Sequence, residues 1–272
     1  MDELPPRLPG APSVDLIQLT APNPGPMTLE GTNTYVIRDG DQAWVVDPGP
    51  RDPEHLADVL LAMPRPGRPM GVLVTHHHAD HAAGAATLAR QLAARSGCEV
   101  PLWAADPALV HGARPVPSEL TSDHGTVGHV VHLPGHTGDS IGVLLEGGRM
   151  LTGDTLLGGS STVVVPDDGG VLAEYLQSLA ILRAMALDGR IGSLHPGHGP
   201  QSSSPLDALT VIDEAIAHRE ERLEQVRRAR TAGILTMDRL LRAVYGPDLP
   251  PEKEKAARWN IRAALDHLSP RT

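Results

Sequence analysis

Histidine and aspartate cluster at four points along the chain. "THHHADH" at residues 75–81 supplies His76, His78, Asp80 and His81, and further donors follow in "LPGHTGDS" (His136), "LTGDTL" (Asp154) and "HPGHGP" (His198). Neutral imidazole nitrogens combined with carboxylate oxygens are the donor set that suits zinc. His76 and His78 are two apart, so an extended or turning backbone points both to one side, and His77 between them is read as facing away. Seven donors exceed what one tetrahedral ion takes and fit two ions sharing a bridge. A carboxylate can bridge two cations and an imidazole cannot, which makes Asp154 the bridging candidate. Two metals about 3.5–4 Å apart would hold a hydroxide between them, because metal binding brings the pKa of water towards about 7. The expected nucleophile is therefore water.

Each donor group follows a short aliphatic run, and these runs are the strands that must position it. "GVLVTH" precedes the first group, and predicted strands at 129–133, 149–152 and 191–194 precede His136, Asp154 and His198. A glycine stands directly before each of the last three donors (Gly135, Gly153, Gly197), where it lets the backbone turn tightly. Loops at strand ends can aim several side chains into one cleft. Upstream, an edge strand at 15–19 leads to "TYVIRDG" and "AWVVDPG", two β-type runs joined by a turn at 39–42, which read as a hairpin. A helix at 53–63 is capped by Asp52, and another at 82–96 is ended by Gly97. Strands at 100–103 and 141–145 and a helix at 172–187 complete a pattern of two sheet layers covered by helices. After Pro205 the pattern is helical alone, at 206–231, at 236–245 with Thr236 as cap, and at 252–268. The chain is thus expected to divide into a catalytic domain, 1–206, and a helical subdomain, 207–272.

At 272 residues the chain can bury a sizeable core without covalent staples. Its single cysteine, Cys98, excludes an internal disulfide. The start, "MDELPPRLPG", is acidic and proline-rich where a secretory signal is basic and then apolar, and no run approaches the roughly 18 apolar residues of a membrane span. A cytoplasmic protein with no membrane partner is expected. With no phenylalanine, the core must come from Leu, Val, Ile, Ala and Met, and platforms for base stacking are scarce. The net charge of −10 argues against a general nucleic-acid binder. That charge is uneven: residues 1–212 carry 11 basic and 23 acidic side chains, whereas 213–272 carry 12 and 10.

The ordered set HxHxDH at His76, His78, Asp80 and His81, followed by His136, Asp154 and His198, resembles the metallo-β-lactamase fold superfamily of binuclear zinc hydrolases. "GTNTYVI" at 31–37 and "VVDPG" at 45–49 stand where that family has its opening hairpin. The resemblance implies an α/β fold, a four-layer αβ/βα sandwich. It also implies that one zinc takes His76, His78 and His136, that the other takes Asp80, His81 and His198, and that Asp154 bridges them. Manganese or iron are the alternatives to zinc. Asp80 would orient the hydroxide and accept its proton. Asp47 either caps a turn or, by the resemblance, lies beneath the metal loop. Asn33 and Thr137 are candidates for hydrogen bonding to substrate, turn roles being the alternative, and His195 is a candidate outer contact.

The chain lacks the cysteine ligand of the commonest secreted β-lactamases, whose position Asp154 fills. The spacing from Asp154 to His198 leaves no room for the cap domain of the messenger-RNA processing nucleases. "AIAHREERLEQVRRA", "ILTMDRLLRAVYG" and "AARWNIRAALDHL" resemble the helical, winged-helix-like tail of the lactamase-beta-like subfamily, whose animal mitochondrial members are single-strand endoribonucleases. Two substrate classes follow: first a phosphodiester of single-stranded RNA, and as the alternative a small thioester (glyoxalase II or acyl-thioesterase type) or lactam. A homodimer formed through the tail is a further expectation.

Overall fold

The computed structural model describes residues 14–269. Strands β1 (Asp15–Thr20), β2 (Asn33–Asp39), β3 (Gln42–Val46), β4 (Arg68–Leu73), β5 (Leu102–Ala104) and β6 (Arg114–Pro115) form one sheet in that order. Its first three strands pair antiparallel and the rest parallel. The second sheet has the order β11 (Ser193–Pro196), β10 (Arg149–Gly153), β9 (Ile141–Leu145), β8 (Gly125–His132), β7 (Glu119–Ser122), and only the β10–β11 pair is parallel.

Side-chain alternation along the strands generates the layers. Tyr35, Ile37, Trp44, Val46 and Leu73 face inward to meet Ile141, Val143, Leu145 and Leu151 of the other sheet. Their neighbours Val36, Ala43, Val45, Val72 and Val74 face outward under the helices α1 (Pro53–Ala62) and α3 (Ala85–Ser96). Val131, Leu133, Leu144 and Met150 face the opposite way, under α4 (Leu172–Leu187). Strands buried on both faces carry apolar runs, AWVV in β3 and IGVLL in β9. The result is the four-layer αβ/βα sandwich.

The C-terminal helices α5 (Pro205–Thr231), α6 (Met237–Tyr245) and α7 (Pro251–Leu268) join the last of these layers. Ile212, Val226, Leu240 and Ile261 belong to one apolar cluster with Leu179, Leu182 and Met150. The tail's described residues contain three helices and no strand, so the wing expected of a winged helix is not among them. Among the described residues, no helix is long and apolar enough to cross a membrane.

Local signals behave as their chemistry requires, with some exceptions. Asp52 accepts from the His55 amide (2.8 Å), and Gly97 closes α3 at φ 72°. Thr236 stands at the start of α6 without a capping hydrogen bond from its side chain. The expected helix at 82–96 starts only at Ala85, as α3, after a separate short helix α2 (Ala79–Ala82), because Gly84 lies against the 49–50 turn: its amide donates to Gly49 O (3.0 Å) and a Cβ there would stand 3.0 Å from Pro50 O. The strand expected at 191–194 lies two residues later, since Gly192 N donates instead to Gly148 O (2.7 Å). β6 and β7 carry too little apolar pattern to be anticipated.

Candidate metal centre

The ends of β4, β10 and β11 and the loop after β8 open on one side of the sandwich, and seven side chains converge there. Two groups share that space. In the first, His78 Nδ1 stands 3.0 Å from His76 Nε2 and 3.1 Å from His136 Nε2. Around an ion bonded at 2.0–2.1 Å the edges of a tetrahedron are about 3.4 Å, so three ring nitrogens this close are near a ligand arrangement. In the second, His198 Nε2 stands 3.2 Å from both His81 Nε2 and Asp80 Oδ2. Asp154 lies between them, with Oδ2 3.8 Å from His136 Nε2 and 3.5 Å from His198 Nε2, and Oδ1 3.4 Å from His81 Nε2.

The far side of each ring is also held. His136 Nδ1 donates to Val163 O (2.6 Å) and His198 Nδ1 to Gly31 O (3.0 Å). His81 Nδ1 meets Asp47 Oδ2 (2.9 Å) and His78 Nε2 meets Asp168 Oδ2 (3.0 Å). His76 Nδ1 lies 3.2 Å from Thr75 Oγ1, which donates to Asp47 Oδ2 (2.7 Å). Such outer partners fix which ring nitrogen carries the proton and how the ring faces a metal. Asp47 serves two rings from a left-handed backbone (φ 50°), its Oδ1 also accepting from Thr75 N–H (2.7 Å).

Without metal the two groups differ in charge. Burial drives the His76 and His136 rings down, His136 to about 4, so both are neutral and able to ligate. Burial opposes a proton on His81 and His198 as well, but Asp154, with Asp47 and Asp80, outweighs it: His81 lies well above its ordinary value and His198 at about 10. Burial would raise both carboxyls, yet His198 and His81 hold Asp154 well below the usual range, and His81 with His198 lowers Asp80.

Two observations fit these residues to divalent metal. Asp154 Oδ1 is buried with no hydrogen-bond partner. Gly197 leaves room that a side chain would close, since a Cβ there would stand 2.5 Å from the same oxygen and 2.8 Å from His81 Cε1. Gly153 at φ 49° and Gly135 at φ 133° likewise allow turns that other residues rarely make.

Other expected residues lie around the cluster. Asp47 is directly beneath it. Asn33 is buried and committed: its Nδ2 donates to Pro196 O (3.0 Å) and Gly199 O (2.9 Å), tying β2 to the loop that carries His198. Its Oδ1 accepts from Gln18 and Thr20. Thr137, also buried, donates to Asp139 Oδ1 (2.7 Å). Neither is free to reach a substrate. His195 turns to Ser193 Oγ (2.9 Å) and packs edge-on against Tyr35, away from the cluster. His77 points to Asp139 (2.8 Å). Asp168 had no distinguishing mark in the sequence beyond the loop string "PDDGG", because its contact with His78 spans distant residues.

A sequence model of the metallo-beta-lactamase superfamily matches residues 27–212. The chain is 29% identical over 276 residues to a beta-lactamase-like protein 2 homolog of Drosophila melanogaster, covering 93% of this chain and 87% of that one. It is 31% identical over 262 residues to the atrochrysone carboxyl ACP thioesterase of Aspergillus fumigatus, covering 88% and 78%. A beta-lactamase domain protein from Burkholderia ambifaria has a similar fold, with TM-score 0.72 at 24% identity, covering 95% of this chain and 87% of that one. The chain belongs to the metallo-beta-lactamase superfamily of hydrolases.

Proposed function

We propose that this hydrolase cleaves acyl thioesters with the aid of two divalent metal ions, zinc before manganese or iron. One ion would be held by His76, His78 and His136, the other by Asp80, His81 and His198, and Asp154 would serve both. The observation that carries the two-metal reading is Asp154, a buried carboxylate within 3.8 Å of ligand nitrogens from both groups. When bound, the ions would supply a nucleophilic water at neutral pH and a Lewis-acid site for charge developing on the carbonyl oxygen. Asp80 is the ligand carboxylate that substrate can reach, its side chain 27% exposed, and it takes the proton of the attacking water. Asp47, Asp168 and the Val163 and Gly31 carbonyls keep the rings oriented through the reaction. A thiolate leaves readily, since thiols have a pKa of about 8.5, so no further acid is required.

The thioester reading is supported by the thioesterase name of a relative and by the groups beside the cluster. Asp80 and Asp168 are partly exposed carboxylates beside the cluster, which suit a neutral acyl group at the reacting centre better than a phosphodiester. The test is a panel of acyl-pantetheine and acyl-coenzyme A thioesters, lactams and single-stranded RNA, offered to metal-defined protein. Thioester turnover is expected, reduced about 10²–10⁴-fold in Asp80→Ala. Cleavage of RNA by the wild type alone, with thioesters untouched, would replace this reading by the phosphodiesterase one.

A further inference from the structure

Residues 162–168 run between the metal cluster and the C-terminal helices and bond to both. On the inner side, Thr162 Oγ1 donates to Asp154 O (2.9 Å), Val163 O accepts from His136 Nδ1 (2.6 Å), and Val165 N–H donates to His136 O (2.9 Å). Asp168 Oδ2 meets His78 Nε2 at 3.0 Å. On the outer side, the Arg219 guanidinium of α5 donates through Nη2 to Thr162 O and through Nη1 to Asn260 Oδ1 of α7 (3.0 Å). The same Asn260 oxygen accepts from Val164 N–H (3.1 Å). Trp259 Nε1 donates to Asp167 Oδ2 (2.9 Å), and Arg262 pairs with that carboxylate.

We propose that Asn260 and Arg219 are positioning residues for the metal centre, acting through this strap on His136, His78 and Asp154. The inner contacts fall on two of the three rings of the His76, His78, His136 group, and the outer contacts are the strap's hydrogen bonds to the tail. Arg219 is only 3% exposed. A guanidinium is costly to bury, and here Nη2 serves the strap and Nη1 the residue that holds it. Ligand atoms must sit within about 0.2 Å of their ideal distance, so slack in the carbonyl that fixes His136 lowers affinity without unfolding the chain. The tail thereby sets the metal affinity of the three-histidine group.

This rests on the two-metal reading above, and the experiment separates the two. Metal-free full-length protein is titrated with Co²⁺ and followed by visible absorption and competition with a chelator, beside thermal melting of the metal-free form. In Asn260→Leu one of the two binding steps weakens about tenfold and the other stays within about twofold, at the low end of the range for outer partners of metal ligands. Asn260→Asp keeps the accepting oxygen and restores wild-type binding. Trp259→Phe/Arg262→Ala removes only the Asp167 anchors and weakens the same step by about threefold, serving where Asn260→Leu does not fold. Both steps unchanged, or both weakened alike, in a folded variant would overturn the inference. Wild-type protein that takes up no Co²⁺ would instead overturn the two-metal reading.

Discussion

Gly197→Ala isolates the geometry of the metal centre from the stability of the fold. Gly197 is not among the residues with left-handed φ, so its backbone accepts alanine without strain. The added Cβ would stand 2.5 Å from Asp154 Oδ1 and 2.8 Å from His81 Cε1. Ordinary carbon–oxygen contact begins near 3.3 Å, so about 0.8 Å must be found. The backbone offers little of it: Gly197 N donates to Gly153 O (2.9 Å), and Gly197 O accepts from Asn33 N–H (2.7 Å). The ligand side chains must move, by about four times the 0.2 Å that a metal site tolerates. Affinity for the metal bound by Asp154 and His81 should fall at least about 100-fold, the upper end of what losing an outer partner costs. The metal-free protein, where no ion fixes the Asp154 carboxylate, should lose only about 1–3 kcal/mol. Metal content after dialysis and zinc titration against a competing chelator measure the first quantity, and thermal melting with chelator present measures the second. A folded Gly197→Ala protein that binds zinc with wild-type stoichiometry and affinity would refute the ligand assignment of Asp154 and His81.

Asp47→Asn keeps the size and suits the left-handed backbone at least as well, so its effect isolates the lost carboxylate beneath His81 and Thr75; metal affinity should fall about 10–100-fold, and unchanged zinc titrations would count against an orienting role. Ile261→Ala, at a fully buried position of α7, should cost about 2–5 kcal/mol and move one cooperative transition, because tail and second sheet share a core; a separate early transition on calorimetry would show otherwise. Burial first, then Arg149, holds His195 at about 4, so between that value and 6.5 the unfolded chain binds a proton that the fold refuses. Its stabilising contribution is complete above pH 6.5 and falls as pH drops. From pH 7 to 5 the wild type should lose about 2 kcal/mol more than His195→Leu in denaturant titrations, and parallel pH profiles would exclude the effect.

What the sequence disclosed and what it withheld divide along contact distance. β2, β3, β4 and β9 were legible because each lies between two apolar layers and so carries an apolar run, YVI, AWVV, VL and IGVLL. β7, exposed on alternate residues, had no such requirement. The split at Gly84 was not legible, since its cause is the 49–50 turn far back in the chain. The seven convergent donors follow from residue type, order and the preceding glycines. Their orientation does not: Val163 and Gly31 act through main-chain carbonyls, which every residue has, and Asp168 is one of two adjacent aspartates of which its neighbour Asp167 faces α7 instead.

The tail can be understood on the same terms. The outer face of the second sheet and α4 contribute Val131, Leu144, Met150, Leu179 and Leu182 to one apolar cluster, which residues of α5, α6 and α7 complete. Burying a side chain of that size contributes about 1.5–3 kcal/mol, so an added helical layer is favourable for packing alone. Once α5 and α7 lie there, their polar positions face the strap at 162–168, whose peptide groups also need partners. Arg219 and Asn260 supply them, and the strap's other side already carries the carbonyl that orients His136. Packing and positioning therefore come from the same helices, and they separate by residue: Ile261 should change stability with little effect on metal affinity once the protein is folded, and Asn260 should do the reverse.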